Sequence, residues 1–548
     1  MLGAKNCLLV FFDLKKAFDT VPRLMLFYTL LKEYNVGGRF LKVFQEMYTN
    51  NQAYIKVSEG LCQPFITSVG VLQGEVNSPL LFNLFVNKIS EIFDQSCDPV
   101  KINETDQSFL LWADDLVVFS QSAAGLQSAI DKVSTFYASL GLQINKTKTK
   151  IIIFNKSGKV LDNYKFLLVG EQLEVADSYQ YLGVRLRPSG SLTLAAAELC
   201  SKARRAWFSI SNVLYQDKRM PVSRAFQLFD SLVTPVALYA SEFWFPSVLP
   251  KKAFGDKSQL LSVFDSFKAE TINQMFCKLL LSVHKKASRL AVLGELGRYP
   301  LALRAMAHCL NYRQCLAKKP RTSLIGLAMA EMSTMVATDV DCWLSRVDSM
   351  KDLLDLPRIP YSRNSGQKTS RILQKRFDVF WRAQVLATRP GPDGLQHNKL
   401  DVYSSFKCHF GLEPYIFMVR NRNQRCHLSR LRLSAHQLGC ETGRYRRPPV
   451  PREERYCAYC PAGPGGQRPL DTEVHCLTQC VVGEEERQEL HNSICAANSS
   501  FSSMCNVSRF KTLVCPINAV VCKLVSRYLQ LQFSLRDSID TGECTNPG

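Results

Sequence analysis

A carboxylate at the end of an apolar strand is costly to bury unless a cation or a hydrogen-bond donor meets it. This chain has two widely separated places of that kind. The first is Asp13, which ends the run Cys7-Leu8-Leu9-Val10-Phe11-Phe12. The second is the pair Asp114–Asp115, set between Phe109-Leu110-Leu111-Trp112-Ala113 and Leu116-Val117-Val118-Phe119. Two such strands laid side by side gather three carboxylates at one point. Hard oxygen donors suit Mg²⁺, and two Mg²⁺ ions about 3.5–4 Å apart are the recurring device for in-line phosphoryl transfer. The pattern points to a nucleotidyl-transfer palm. Singly, each signal has an ordinary explanation: an Asp pair commonly makes a hairpin turn, and one Asp can cap a strand end.

The sequence between and beyond these sites adds to the pattern. Gly70-Val71-Leu72-Gln73-Gly74-Glu75-Val76-Asn77-Ser78-Pro79 predicts a loop followed by a helix, with Ser78 as N-cap and Pro79 in the first turn. Leu81, Leu84, Phe85, Ile89 and Ile92 recur at helical spacing. Leu140-Gly141-Leu142-Gln143-Ile144-Asn145-Lys146-Thr147-Lys148-Thr149-Lys150 is a basic turn opening onto the strand Ile151–Phe154. Tyr179-Gln180-Tyr181-Leu182-Gly183-Val184-Arg185-Leu186 predicts a short strand pair bent at Gly183.

In this order the blocks resemble motifs A to E of the reverse-transcriptase palm, specifically that of non-LTR (LINE-type) retrotransposons. Trp112 stands where the family usually has Tyr or Phe, which keeps the aromatic bulk. The resemblance implies an α+β fold: an antiparallel palm sheet with helices, then a helical thumb and a small Cys/His zinc element. It implies that Asp13 and Asp114 hold two Mg²⁺ ions, with Asp115 a nearby carboxylate in a weaker or indirect role. Phe18 occupies the steric-gate position, where a ring meets a ribose 2′-OH and favours dNTPs. Gln73 would contact the incoming nucleotide, and Lys148 would stabilise or protonate the pyrophosphate leaving group. On the residues alone, Phe18 could equally be core, Gln73 an ordinary loop residue and Lys148 a solvated lysine. The implied partners are an RNA template, a DNA primer and dNTPs, with no membrane.

The formal net charge is +20. Between Tyr361 and Tyr456, 19 Lys+Arg stand against 7 Asp+Glu, an excess of 12. Arg420, Arg422, Arg425, Arg430, Arg432, Arg444, Arg446 and Arg447 lie there, near Phe377, Phe380, Trp381, Tyr403, Phe406 and Tyr415. Cations for phosphates and rings for stacking are what single-stranded or hybrid nucleic acid requires. A solubilising surface is the alternative reading. The 20 cysteines, without a secretory signal, indicate reduced thiols and a protein of the nucleus and/or cytoplasm, neither secreted nor membrane-bound.

Pattern and composition divide the chain into a palm (1–190), a helical thumb and connection (191–356), a basic nucleic-acid-binding region (357–447), a zinc-knuckle-like element (448–490) and a helical tail (491–548). Leu194–Leu214 and Val222–Leu238 are the clearest thumb helices, and Lys202, Arg204 and Arg205 form a basic stripe. Pro357–Pro360, Arg389–Gly394 and Pro448–Pro451 read as joints. In 448–490, Cys457 and Cys460 form a C-x2-C knuckle, followed by His475 and Cys480. Thiols plus imidazole at that spacing fit one tetrahedral Zn²⁺, with Cys476 as a competing ligand. The resemblance favours the Cys/Cys/His/Cys set. Asn518–Leu535 is expected to be one amphipathic helix with Val521, Leu524, Val525, Tyr528 and Leu529 on its apolar face.

In the family, fingers and often an endonuclease precede motif A, whereas twelve residues precede Asp13 here. The expectation is the C-terminal part of a retrotransposon polyprotein, with little primer extension unless a fingers segment is joined to it. Two other readings are a catalytically silent retrotransposon-derived nucleic-acid-binding protein and a group II intron maturase. The Leu293-Gly294-Glu295-Leu296-Gly297-Arg298-Tyr299-Pro300-Leu301 block and the late Cys/His cluster argue against the maturase.

Overall fold

A computed structural model describes residues 7–541 apart from 158, 160–163, 358–364, 388, 391–395, 398–399, 464 and 517. The expected joints at Pro357–Pro360 and Arg389–Gly394 fall largely outside the described residues. The chain forms two compact units. One comprises residues 1–195 with 316–345, the other 196–315 with 346–548. The helical stretch expected over 191–356 therefore contributes to both.

The first unit is built on a five-stranded sheet. Its strands are β1 (Cys7–Phe12), β2 (Phe109–Trp112), β3 (Asp115–Ser120), β4 (Lys150–Phe154) and β5 (Glu174–Val175), in the order β5-β4-β1-β3-β2. Only the β4–β5 pair is parallel. The central strand β1 is apolar on both faces, as a strand covered from both sides must be. Leu8, Val10 and Phe12 face a helical layer that includes α1 (Ser78–Val86) and α2 (Ala123–Ser139). Phe11 joins Val117 and Ile152 on the other face, under Tyr179, Tyr181 and Leu186. Helix α2 starts where Ser122 accepts a hydrogen bond from the Gly125 N–H (3.1 Å), and it buries Leu126, Ala129, Ile130, Val133 and Tyr137 at helical spacing.

Two sequence expectations shift locally. Ser78 is the first residue of α1 rather than its cap. Asn77 holds the cap position, and the Ser78 hydroxyl instead donates back to the Leu72 carbonyl at 2.6 Å, closing the preceding loop. That loop is also held by Arg23, whose guanidinium is buried against the carbonyls of Gly70, Tyr48 and Thr67. Gly70 has φ 84°, and a Cβ there would lie 2.6 Å from the Asp19 carbonyl oxygen, so no other residue fits the approach.

The second unit is helical. It contains most of α3 (Thr193–Gln216), then Val222–Leu232, α4 (Lys268–Leu281), α5 (Arg289–Leu296), α6 (Ser365–Leu386), α7 (Arg422–Arg432), α8 (Glu473–Thr478) and α9 (Ala519–Thr541). The predicted C-terminal helix is present and six residues longer at its end than expected. Its buried face (Val521, Cys522, Val525, Tyr528, Leu529) packs along α7. Leu524, expected on that face, is only half-buried. Among the described residues no single helix is long and apolar enough to cross a membrane.

Burial removes three arginines and five rings from the expected phosphate-binding stretch. Arg422, Arg425 and Arg432 are 6, 2 and 1 % exposed. Arg422 donates to the Leu214 and Tyr215 carbonyls, and Arg425 to those of Leu280, Val419 and Arg420. The Arg422 and Arg425 guanidiniums thus satisfy backbone oxygens, and Arg432 is paired with the Glu295 and Glu413 carboxylates, which leaves all three turned away from a phosphate. Phe377, Phe380, Trp381, Tyr403 and Tyr415 are core residues, so they offer no stacking platform. Arg420, Arg430, Arg446 and Arg447 are exposed, as are Lys368, Arg371, Lys375, Arg382 and Arg452 of the same stretch.

Candidate active site and candidate metal centre

Antiparallel pairing of β1 with β3 places Phe12 opposite Leu116, so Asp13 and Asp115 leave the sheet side by side. Trp112 pairs with Asp115 across the β2–β3 hairpin, which leaves Ala113 and Asp114 as its two-residue turn. Ala113 takes φ 54°, a backbone state normally left to Gly or Asn, and this holds Asp114 at the tip. The three carboxylates feel one another. The Asp115 carboxyl is raised above its ordinary range, first by burial and then by the Asp114 and Asp13 charges. Tyr179, on the adjoining hairpin, is pushed up to about 12 by burial and then by Asp13 and Asp115. A partly buried group of like charges with hard oxygen donors is the environment a divalent cation relieves, so these residues fit Mg²⁺.

The basic turn fixes Asp13. The Asp13 N–H donates to Thr149 Oγ1 (3.3 Å), its carbonyl accepts from the Asn145 N–H (2.7 Å), and Lys15 N–H donates to the Gln143 carbonyl (2.8 Å). Thr149 is fully buried, and sequence reasoning missed its part in holding Asp13. Lys148 Nζ lies 3.9 Å from Asp13 Oδ2 and is otherwise exposed. An open pocket of about 360 Å³ is lined by Asp13, Lys148, Lys150, Tyr179 and Arg185, among others.

Phe18 and Gln73 form a neighbouring group. Phe18 is half-buried and stacks on Phe82 of α1 at 4.8 Å. Gln73 is exposed and donates to Asp19 Oδ1 at 2.9 Å. The Tyr179–Tyr181 and Val184–Leu186 strands pair as predicted, turning through Leu182 (φ 45°) and Gly183 (φ 80°).

In the second unit Cys457, Cys460, His475 and Cys480 are all buried, and one ligand atom from each lies within 4.8 Å of the others. Cys460 Sγ is 4.0 Å from Cys480 Sγ and 3.3 Å from His475 Nε2. Bonds of about 2.3 Å to sulfur and 2.0 Å to nitrogen set the edges of a tetrahedron near 3.5–3.8 Å, so the set needs little adjustment to close on one ion. Cys476 is buried outside it. Cys480 is favoured as thiolate, chiefly because Cys457 donates a hydrogen bond to it, with His475 and Arg536 adding to the effect.

A second group lies beside this one. His436 Nε2 is 3.0 Å from Glu473 Oε1, and the Cys440 thiol donates to Glu473 Oε2 (3.4 Å). Glu473 and His475 share α8, whose first turn is capped by the Thr472 hydroxyl accepting from the His475 N–H. This network braces the helix that carries His475, and its members already satisfy one another.

Residues 2–186 match the family model "Reverse transcriptase (RNA-dependent DNA polymerase)". The chain is similar to the Pol polyprotein of the type-2 retrotransposable element R2DM of Drosophila melanogaster, with 26 % identity over 201 residues, 35 % of this chain and 19 % of that protein. It is also similar to the Pol polyprotein of a type-1 R2 element of Bradysia coprophila, 28 % identical over 190 residues, 32 % of this chain and 21 % of that one. The aligned stretch is thus about a fifth of either relative's length. A telomerase structure from Candida tropicalis superimposes at a TM-score of 0.27, with 12 % identity over 60 % of this chain and 49 % of that one, too low to transfer any geometry. Over residues 2–186, then, this chain matches the reverse-transcriptase family model and is similar to the Pol polyproteins of R2 retrotransposable elements.

Proposed function

We propose that this chain contributes the polymerising palm of RNA-directed DNA synthesis, joining a dNTP to a primer 3′-OH on an RNA template, and that Cys457, Cys460, His475 and Cys480 hold one Zn²⁺. The observation that carries the first part is the convergence of Asp13, Asp114 and Asp115 where β1 and β3 leave the sheet. Mg²⁺ bound there would lower the pKa of the 3′-OH and stabilise charge on the transferring phosphoryl group. Asp13 and Asp114 supply the oxygen ligands, and the Thr149 and Asn145 contacts hold Asp13 in place. Lys148, whose Nζ lies 3.9 Å from Asp13 Oδ2, would neutralise the departing pyrophosphate. Phe18 acts as the gate against a 2′-OH, with its ring braced by Phe82.

The metal site is testable without polymerase activity. Fe²⁺ takes the place of Mg²⁺ in oxygen-ligand sites and, with ascorbate and peroxide, cuts the backbone beside it. Cuts are expected near Asp13 and in the 112–116 hairpin, suppressed by excess Mg²⁺ and lost in Asp114→Asn. Cutting that Asp114→Asn leaves unchanged would remove the metal assignment.

Zinc at the Cys/His set follows from soft thiolate donors in a closed, buried site. The purified chain is expected to hold close to one equivalent, and Cys460→Ser to lose it. A chain free of zinc as purified and unable to take it up would refute this part alone.

A further inference from the structure

Arg536 lies on the buried face of α9 and is 5 % exposed, and neither the palm nor the four-ligand set uses it. Its Nη2 donates to Cys480 Sγ at 3.1 Å and lies 3.9 Å from Cys457 Sγ. Its Nη1 donates to Asp471 Oδ1 at 2.9 Å, just ahead of the helix that carries His475. The Gln532 amide, in the orientation that satisfies both its ends, accepts from Arg536 Nε at 3.3 Å and donates to the Val482 carbonyl. The guanidinium carbon sits 5.0 Å from the centre of the Tyr459 ring, inside the knuckle. Both terminal nitrogens of one buried cation are therefore committed to the element that holds the ligands, while its Nε is held by Gln532 of the same helix.

We propose that Arg536 is a positioning residue for the metal centre, and that through it the bound metal latches the C-terminal helix onto the knuckle. This rests on the zinc reading above. Three thiolates and a neutral imidazole around a dication leave a buried net charge of −1, and Arg536 is the cation placed against it. Hydrogen bonds from a guanidinium to thiolates are charge-assisted. Without the metal nothing ties the two sulfurs together where the guanidinium meets them, and the buried cation loses the fixed acceptors that hold it. Docking of α9 and retention of the metal must then strengthen each other to the same degree.

The test uses the full chain. Zinc affinity is measured by competition with a chromogenic chelator, and helix docking by hydrogen exchange of peptides spanning 519–541. Arg536→Met is expected to weaken zinc binding by about 10–100-fold, the usual effect of losing a group that supports metal ligands. Arg536→Lys, which keeps the charge but loses the fork, should fall in between. Stripping zinc from the parent chain should speed exchange across 519–541 as well as 457–480, with the sheet peptides of residues 7–20 and 109–120 unchanged. Unchanged zinc affinity in a folded Arg536→Met chain overturns the proposal, as does a helix whose protection is indifferent to zinc. If Arg536→Met does not fold, Arg536→Lys and the stripping experiment decide. A parent chain that takes up no zinc removes both this proposal and the zinc reading. One that holds zinc equally well without Arg536 removes this proposal only.

Discussion

Asp114→Asn is expected to lower RNA-templated primer extension with dNTPs and Mg²⁺ by on the order of 10³-fold or more. A metal that stabilises charge in the transition state contributes several kcal/mol, and each 1.36 kcal/mol is about a factor of ten. Asn keeps the shape of the side chain but gives up the charge that would hold the ion. Because Asp114 sits at a half-exposed hairpin tip, the fold has little stake in it, and the loss should appear as activity rather than stability. Asp115→Asn should cost less, because that carboxyl is the one whose ionised form is disfavoured by burial and by its two neighbours. The aligned stretch is about a fifth of the R2 polyproteins' length. The comparison is therefore run in this chain alone and in the chain extended upstream with the corresponding R2 segment. Extension by Asp114→Asn at the parent rate would overturn the two-metal assignment. A parent inactive in both forms, with no Fe²⁺ cutting, would favour the silent nucleic-acid-binding alternative.

Much of the palm was legible because its elements are short-range statements. An apolar run that ends in Asp, a Gly-flanked loop before a Ser-Pro helix start and a Lys/Thr turn before Ile151-Ile152-Ile153 each declare a local conformation. Their order carries the family resemblance, and that resemblance supplied the fold class. The spacing of Cys457, Cys460, His475 and Cys480 was legible for the same reason. What the sequence could not show is which partner a side chain meets across the fold. Ser78 has the chemistry of a cap, yet its hydroxyl closes the preceding loop. Thr149 looks like one more residue of a solvated turn, yet it is buried against the Asp13 backbone. Charge composition misled most. Arginines counted as a phosphate-binding excess include several whose partners are carbonyls and a carboxylate brought together from distant segments. A signal was available: Arg422, Arg425 and Arg432 alternate with Leu428 and Leu431 around one helix, and Arg536 falls on the apolar stripe of another. An arginine on the buried face of an amphipathic helix announces a buried acceptor, though not its identity.

Arg432→Met is expected to destabilise the second unit by about 3–5 kcal/mol, the usual cost of breaking a buried ion pair by removing one partner. The Arg432 and Glu295 side chains are both 0 % exposed. The guanidinium donates to both Glu295 oxygens, at 3.0 and 2.9 Å, and to Glu413 at 2.6 Å. It also donates to the Val514 carbonyl and lies over the Phe406 and Tyr415 rings, at 4.7 and 5.1 Å from their centres. Glu295 itself stands in a tight passage, since a Cβ on neighbouring Gly297 (φ 55°) would lie 2.4 Å from the Leu412 N–H nitrogen. Methionine fills similar volume but leaves Glu295 buried without its cation, so the damage comes from the stranded carboxylate. Arg432→Met combined with Glu295→Gln should therefore recover part of the loss, with a coupling of roughly 1–3 kcal/mol. Exposed Arg446→Ala or Arg447→Ala should stay within about 0.5 kcal/mol of the parent. The two units need not unfold together, so the measurement is hydrogen exchange of peptides from α5 and α7 rather than a single melting temperature. A phosphate-binding Arg432 would give the opposite result: weakened RNA binding with unchanged exchange. Such an outcome would mean that α7 presents its arginines to nucleic acid after all, and the burial that reassigns them would be wrong.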